Sequence, residues 1–181
     1  MAELQFRTAT EQDVDPIVAL VQAAYRGPSS RRGWTTEAEL LEGQRVDPAM
    51  LRDVLTRPAT KVVLAHRDGE LVGCCELERP AAPGGAAHLG MFAVDPEKQG
   101  GGLGRAVLAH AEQLVAQEWG AGSIELSVIE QRAELIAWYR RRGYVDTGRY
   151  EDFPYGDERF GRPLRDDLRF VVLAKPLGPT T

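Results

Sequence analysis

Residues 99–114 read QGGGLGRAVLAHAEQL, three consecutive glycines with a fourth two places on, followed by an amphipathic run. The stretch HLGMFAV at 88–94 precedes them and reads as a strand that stops at Asp95-Pro96. After them Leu103, Ala106, Val107, Leu114 and Val115 recur at helical spacing until GAG at 120–122 ends the helix. A strand running through glycines into a helix sets several unpaired backbone N–H groups at the positive end of a helix dipole. Gly100, Gly101, Gly102 and Gly104 can take positive φ and leave phosphate oxygens room to reach those amides, with Arg105 adding charge. A tight connection whose glycines merely fit the turn is the alternative reading of the same residues.

The flanking sequence restricts the choice. A short strand at 3–8 precedes Thr10 and Asp13, which resemble an N-cap and its third-residue acid ahead of VDPIVALVQAAY, a helix ending near Gly27. TTEAELLEG and DPAMLRDVL predict two short helices, the second with Asp47 as cap and Pro48 at its first position. KVVLAHR and ELVGCCELER, joined by Asp68-Gly69, predict an antiparallel hairpin. The 80–87 stretch reads as a flexible connection, IELSVI as a strand, 133–142 as a helix stopped by Gly143, 144–150 and 168–175 as strands, and 151–167 as an aromatic and charged loop. No repeat or linker divides the 181 residues, of which 43% are hydrophobic, so one domain over 1–181 is expected.

Phosphate-binding classes differ in what surrounds their glycines. A Walker A loop needs G-x-x-x-x-G-K-[ST], and no lysine followed by serine or threonine stands here. The dinucleotide fingerprint would place Val107 at its third small position and belongs after the first strand of its unit, whereas this run follows the fourth. A nicotinamide enzyme is therefore disfavoured, although Glu125 lies at about the distance its ribose-binding acid would.

FAVDPEKQGGGLGRAVL, followed by a strand and then by ELIAWYRRRGYV, resembles the GNAT superfamily of acyl-coenzyme A dependent N-acyltransferases. The family signature [RQ]-x-x-G-x-[GA] reads here Gln99-Gly100-Gly101-Gly102-Leu103-Gly104, and Tyr139 with Gly143-Tyr144 supplies the second match downstream. The resemblance, which extends over nearly the whole element order, implies a mixed α/β fold. Its mostly antiparallel sheet of six to seven strands would be flanked by helices and splayed between the strands at 88–94 and 123–129.

The resemblance also implies acetyl-CoA as co-substrate, with no metal. Phe92, Ala93 and Val94 would present backbone groups to the pantetheine arm, and Gln99, Gly100, Gly101, Gly102, Leu103, Gly104 and Arg105 would wrap the pyrophosphate. The reaction implied is attack of a neutral primary amine on the thioester through a tetrahedral intermediate. That requires a base for the amine, donors for the oxyanion and an acid for the departing thiolate. Tyr139 matches the family's acid, and an amide at Phe92 to Val94 its oxyanion donor. The alternative for Tyr139 is a core aromatic beside Trp138.

For the base, His88 lies where histone acetyltransferases of the family carry a glutamate, and a histidine is able to accept a proton near neutral pH. Glu125 competes with it, sharing a strand face with Ser127, the position of the base in ribosomal-protein N-acetyltransferases. Glu76 and Glu78 share a face of the hairpin's second strand and are weaker candidates that would instead attract a cationic amine. Seven residues before Tyr139, where the family often has an asparagine, this chain has Arg132, to which no contact is carried over. Trp34, Tyr25, Tyr150, Phe153 and Tyr155 are candidate acceptor walls, Trp34 reading equally as a staple before a helix start. Arg140, Arg141 and Arg142 complement a helix C-terminus.

Composition narrows the acceptor. With 22 basic against 27 acidic residues the formal charge is −5, which disfavours nucleic acid and anionic membranes as partners and leans toward a small-molecule amine. A protein or peptide N-terminus is the alternative acceptor, and a non-catalytic acyl-CoA sensor the alternative of another class. A homodimer is compatible with each. Cys74 and Cys75 are adjacent and would point to opposite faces of a strand as free thiols. That usage, with no basic-then-apolar leader and no run of 18 apolar residues, predicts a cytoplasmic protein.

Overall fold

Asp68 and Gly69 take φ of 53° and 80°, the left-handed pair that a two-residue hairpin turn requires. They join β3 (Thr60–Arg67) to β4 (Glu70–Glu78) in an antiparallel pair. The computed structural model describes residues 2–26 and 37–178. The other strands of the main sheet are β1 (Gln5–Thr8), β5 (Ala86–Val94), β6 (Ser123–Ile129), β7 (Val145–Asp152) and β9 (Arg169–Pro176). A small separate ribbon pairs β2 (Leu41–Glu42) with β8 (Arg162–Pro163). The seven-stranded sheet runs β1-β3-β4-β5-β6-β9-β7 and is antiparallel except at β5 and β6.

Side-chain alternation on these strands divides the core in two. On one face α1 (Val14–Tyr25) and α2 (Pro48–Thr56) bury Ile17, Val21, Ala24 and Leu51 against Val62, Leu64 and Cys74. On the other, α3 (Leu103–Trp119) and α4 (Ala133–Arg140) bury Leu103, Val107, Leu108, Leu135 and Ile136 against Val63, Ala65 and Cys75. The adjacent cysteines thus enter different cores, both as free thiols. Among the described residues no helix is long and apolar enough to cross a membrane.

Three expectations are corrected. Of the stretch expected as a helix at 35–43, the described part, 37–43, forms a turn and then β2, because Leu41 and Glu42 pair with Pro163 and Arg162 of β8. The expected 151–167 loop contains the end of β7, a 3-10 turn at Glu158–Phe160, and β8 itself. The helix expected to reach 142 ends at Arg140, and Gly143, at φ 95°, lies beyond it.

The entrance to α1 is held by a local ionic clasp. Asp13 accepts the Thr10 N–H at 2.8 Å and both Arg7 guanidinium nitrogens at 2.7 and 2.8 Å. The Arg7 pair, more than burial can oppose, holds the Asp13 carboxyl far below the usual carboxylate range. A group lowered on folding adds stability above its unfolded pKa, about 4, and gives it up as pH falls below that value. Asp13→Asn is expected to cost about 1–2 kcal/mol at pH 7, a range kept modest because Arg7 is half exposed. Urea titration should show the gap to the parent protein closing below pH 4. A gap of equal size at pH 3 would sink the ionic account.

Candidate active site

β5 and β6 share only three pairs, Ala86 with Ser123, Ala87 with Ile124 and His88 with Glu125, and diverge beyond them. A parallel pair that opens leaves backbone on both lips without strand partners. The opening is a cleft of ≈ 220 Å³ whose walls include Tyr25, Arg45, His88, Phe92, Arg132 and Tyr139. A bulge directs what faces it. Between the pairs Cys74–Ala93 and Glu76–Gly90, β5 has one residue more than β4, and Met91 takes φ of 45° to accommodate it. The extra residue shifts the alternation, so Leu89 and Phe92 both pack on the α3 and α4 side while Met91 and Ala93 pack on the α1 and α2 side.

The glycine run lies just past this strand. Gly100, Gly101 and Gly102 have φ of 105°, 60° and 79°, and a Cβ added to any of them would meet nothing within 4 Å. The glycines are thus needed for backbone conformation, and the space over them is open. Leu103 N–H bonds Gly100 O and Ala106 N–H bonds Gly102 O. The amides of Gly101, Gly102, Gly104 and Arg105 have no acceptor among the described residues. Gln99 Nε2 reaches back to Val94 O at 3.3 Å, tying the loop to the strand. Open amides at a helix start with free space above them fit a phosphate group, and the residues present therefore suit the pyrophosphate of a coenzyme A ester.

Tyr139 stands inside an aromatic cluster, its ring edge-on to Phe92 at 6.4 Å, Trp138 at 5.0 Å and Tyr144 at 5.4 Å. The residue is 4% exposed, and its hydroxyl, on the cleft wall, has no hydrogen-bond partner among the described residues. Burial pushes the phenol well above its ordinary pKa, so the proton is held. Tyr25, across the cleft, donates its hydroxyl to Phe92 O. Burial, opposed by Arg45 and Arg132, raises its pKa to about 12.

A second cavity of ≈ 670 Å³ adjoins the cleft and shares Arg45, His88, Gly90 and Met91 with it. Glu76 lines this cavity, and burial raises its carboxyl above the ordinary value in spite of Arg57 and His88. His88 stands at the junction of the two spaces. Glu125 lines neither; its carboxylate accepts from Arg149 at 2.5 Å. Glu78 is paired in register with His88 and is exposed. Phe153 packs with Leu41, Ile129 and Leu168 in a separate small core. Trp34 lies outside the described residues.

The sequence did not single out several wall residues. Glu151 of β7 lines the cleft and accepts the Ser127 hydroxyl at 3.0 Å. Glu37 is buried between two guanidiniums, with Oε2 bonded by Arg26 Nη1 and Oε1 by Arg132 Nη1 at 3.4 Å. Burial would push the Glu37 carboxyl up, but Arg132, Arg45 and Arg26 together hold it below its ordinary value. Nothing in the local spacing of residues 26, 37, 45 and 132 announces this cluster, which the fold assembles from four segments.

Residues 20–144 match the family described as Acetyltransferase (GNAT) family. The amino-acid acetyltransferase of Azotobacter vinelandii is 28% identical over 144 residues, covering 80% of this chain and 28% of that protein. The chain thus spans well under half the length of that relative. The S-(2-succino)cysteine N-acetyltransferase of Bacillus subtilis is 26% identical over 149 residues, covering 80% of this chain and 86% of that one. In fold, the chain resembles the ribosomal-protein-S18-alanine N-acetyltransferase of Escherichia coli. The TM-score is 0.71 at 18% identity, over 99% of this chain and 97% of that one.

Proposed function

The chain belongs to the GNAT family of acetyltransferases, and from that premise we propose that it transfers the acetyl group of acetyl-CoA to a primary amine of a small molecule. The observation that carries this reading is the set of unpartnered amides at Gly101, Gly102, Gly104 and Arg105, beside the mouth of a cleft that Tyr139 lines. Acetyl-CoA, when bound, supplies an activated thioester. The glycine run and the start of α3 hold its pyrophosphate, and the open lip of β5 at Phe92, Ala93 and Val94 receives the pantetheine arm. An amide on that lip faces the developing oxyanion. His88, between cleft and cavity, takes the proton of the attacking amine, with Glu76 drawing the cationic amine into the cavity. Tyr139 returns a proton to the thiolate. Relatives whose names specify amino acids and S-(2-succino)cysteine support a small acceptor.

A ligand that binds the native state raises the melting temperature. Acetyl-CoA and CoA are each expected to do so, and NADP and ATP are not. Gly102→Glu should abolish the shift, because a side chain at φ 79° strains the loop and carries a carboxylate into the phosphate space. No shift with either CoA species at millimolar concentration would reduce the glycine run to a turn and overturn the reading.

A further inference from the structure

Arg132 departs from the asparagine usual at its position, and its surroundings make the departure informative. It stands at the start of α4 without a side-chain capping bond. The side chain is 8% exposed, and its one hydrogen bond among the described residues, to Glu37, is long at 3.4 Å. Nη2 is buried with no partner among the described residues. A buried donor left unmade is costly, more so on a charged group, and marks a place where an acceptor belongs.

The charge count points the same way. Glu37 is the carboxylate between Arg26 and Arg132, and it is already bonded by Arg26. Arg45, a third guanidinium, lies over the Tyr25 ring at 5.2 Å and has no carboxylate within ion-pair distance among the described residues. The cleft is lined by Arg45 and Arg132 against Glu37 and Glu151, but Glu37 is shared with the buried Arg26 and Glu151 accepts the Ser127 hydroxyl, so neither cleft arginine has a carboxylate to itself. Both Arg45 and Arg132 line the cleft with His88 and Tyr139, and Arg45 continues into the cavity that holds Glu76.

We propose that Arg132 and Arg45 form a carboxylate-binding subsite, so that the amine acetylated here belongs to an amino-acid-like zwitterion. The claim rests on the transferase reading above and adds the acceptor's class to it. The guanidinium fork of Arg132 matches a carboxylate in plane and spacing, with Nη2 as the free donor and Arg45 as the second charge. The carboxylate is fixed on the arginine side, and the amine is left toward His88 and Glu76. A carboxylate on the acyl group would satisfy the same chemistry, and the test separates the two sources.

The full chain is given acetyl-CoA with the standard amino acids, their α-carboxamides and the matching decarboxylated amines, and thiol release is followed. In parallel, the melting temperature of the CoA-loaded protein is measured with each compound. The expected result is an amino acid whose kcat/KM exceeds that of its amide and amine by about 100-fold and which raises the melting temperature where they do not. Arg45→Gln, partly buried and without an ion pair among the described residues, is the variant that should still fold. It should lose most of that preference while keeping the acetyl-CoA shift. Arg132→Lys should weaken the preference further, because a point charge lacks the fork.

Thiol release equal for acids and amides would overturn the subsite and leave the transferase standing. Stabilisation by acids, lost in Arg45→Gln, with no thiol release would keep the subsite and overturn the transferase. Neither stabilisation nor release overturns both. A larger shift with succinyl-CoA than with acetyl-CoA, lost in Arg45→Gln, would move the carboxylate to the acyl group and overturn the acceptor assignment.

Discussion

Replacing Tyr139 with phenylalanine is expected to lower kcat by about 10²–10⁴-fold, the range for removing a general acid, with acetyl-CoA affinity nearly unchanged. The ring would keep its edge-on contacts with Phe92, Trp138 and Tyr144. Only a hydroxyl without a partner among the described residues is deleted, so the melting temperature should move by no more than about 1 °C. Burial lifts the Tyr139 phenol above its ordinary pKa, which would handicap an acid if the thiolate kept its value in water. A thiolate leaving into the same walls is raised too. The buried Cys74 thiol, pushed up to about 12 chiefly by burial, shows the scale of that effect in this protein. Acid and leaving group rise together, and the transfer stays near balance. An unchanged kcat in Tyr139→Phe would reduce the residue to a core aromatic.

Glu37→Gln should be strongly destabilising. It removes the carboxylate that faces Arg26 and Arg132 and leaves buried guanidiniums uncompensated. Breaking such a group by deleting one partner costs about 3–5 kcal/mol, a drop of roughly 10 °C in a chain of this length. The sign with pH follows from the lowered Glu37 carboxyl: the stabilisation is present above about pH 4 and lost as acid protonates the group. The parent protein should therefore show a steeper acid-induced fall in melting temperature than Glu37→Gln, which keeps only the contribution of other carboxylates such as Asp13. A variant melting within 2 °C of the parent at pH 7 would show that the cluster contributes little.

What could be seen in the sequence was local. The glycine run, the Asp68-Gly69 turn, the Asp47 cap with Met50 N–H at 2.8 Å and the opposed cysteines each depend on neighbours a few places away. The structure places them as expected. The helix expected at 35–43 failed because the partner of β2 lies some 120 residues onward, and helical propensity was overridden by that pairing. The acceptor side was hidden for the same reason. Arg26, Glu37, Arg45 and Arg132 come from separate segments, and only the last stood out, as an exception to a pattern. Glu151 reached the cleft from a strand two places from β6 in the sheet.

The short parallel pairing of β5 and β6 has a consequence for the protein while it waits for its co-substrate. Past His88 the two lips are in effect edge strands placed in the middle of a sheet, and an unpaired edge is the part of a β protein most prone to recruit a foreign strand. Here the exposure is limited by Tyr25, which occupies Phe92 O. An occupant lying between the lips would complete the ladder and close the edge. Loss of co-substrate binding should then surface first as slow self-association on storage and as fast amide exchange along both lips, before any turnover is measured.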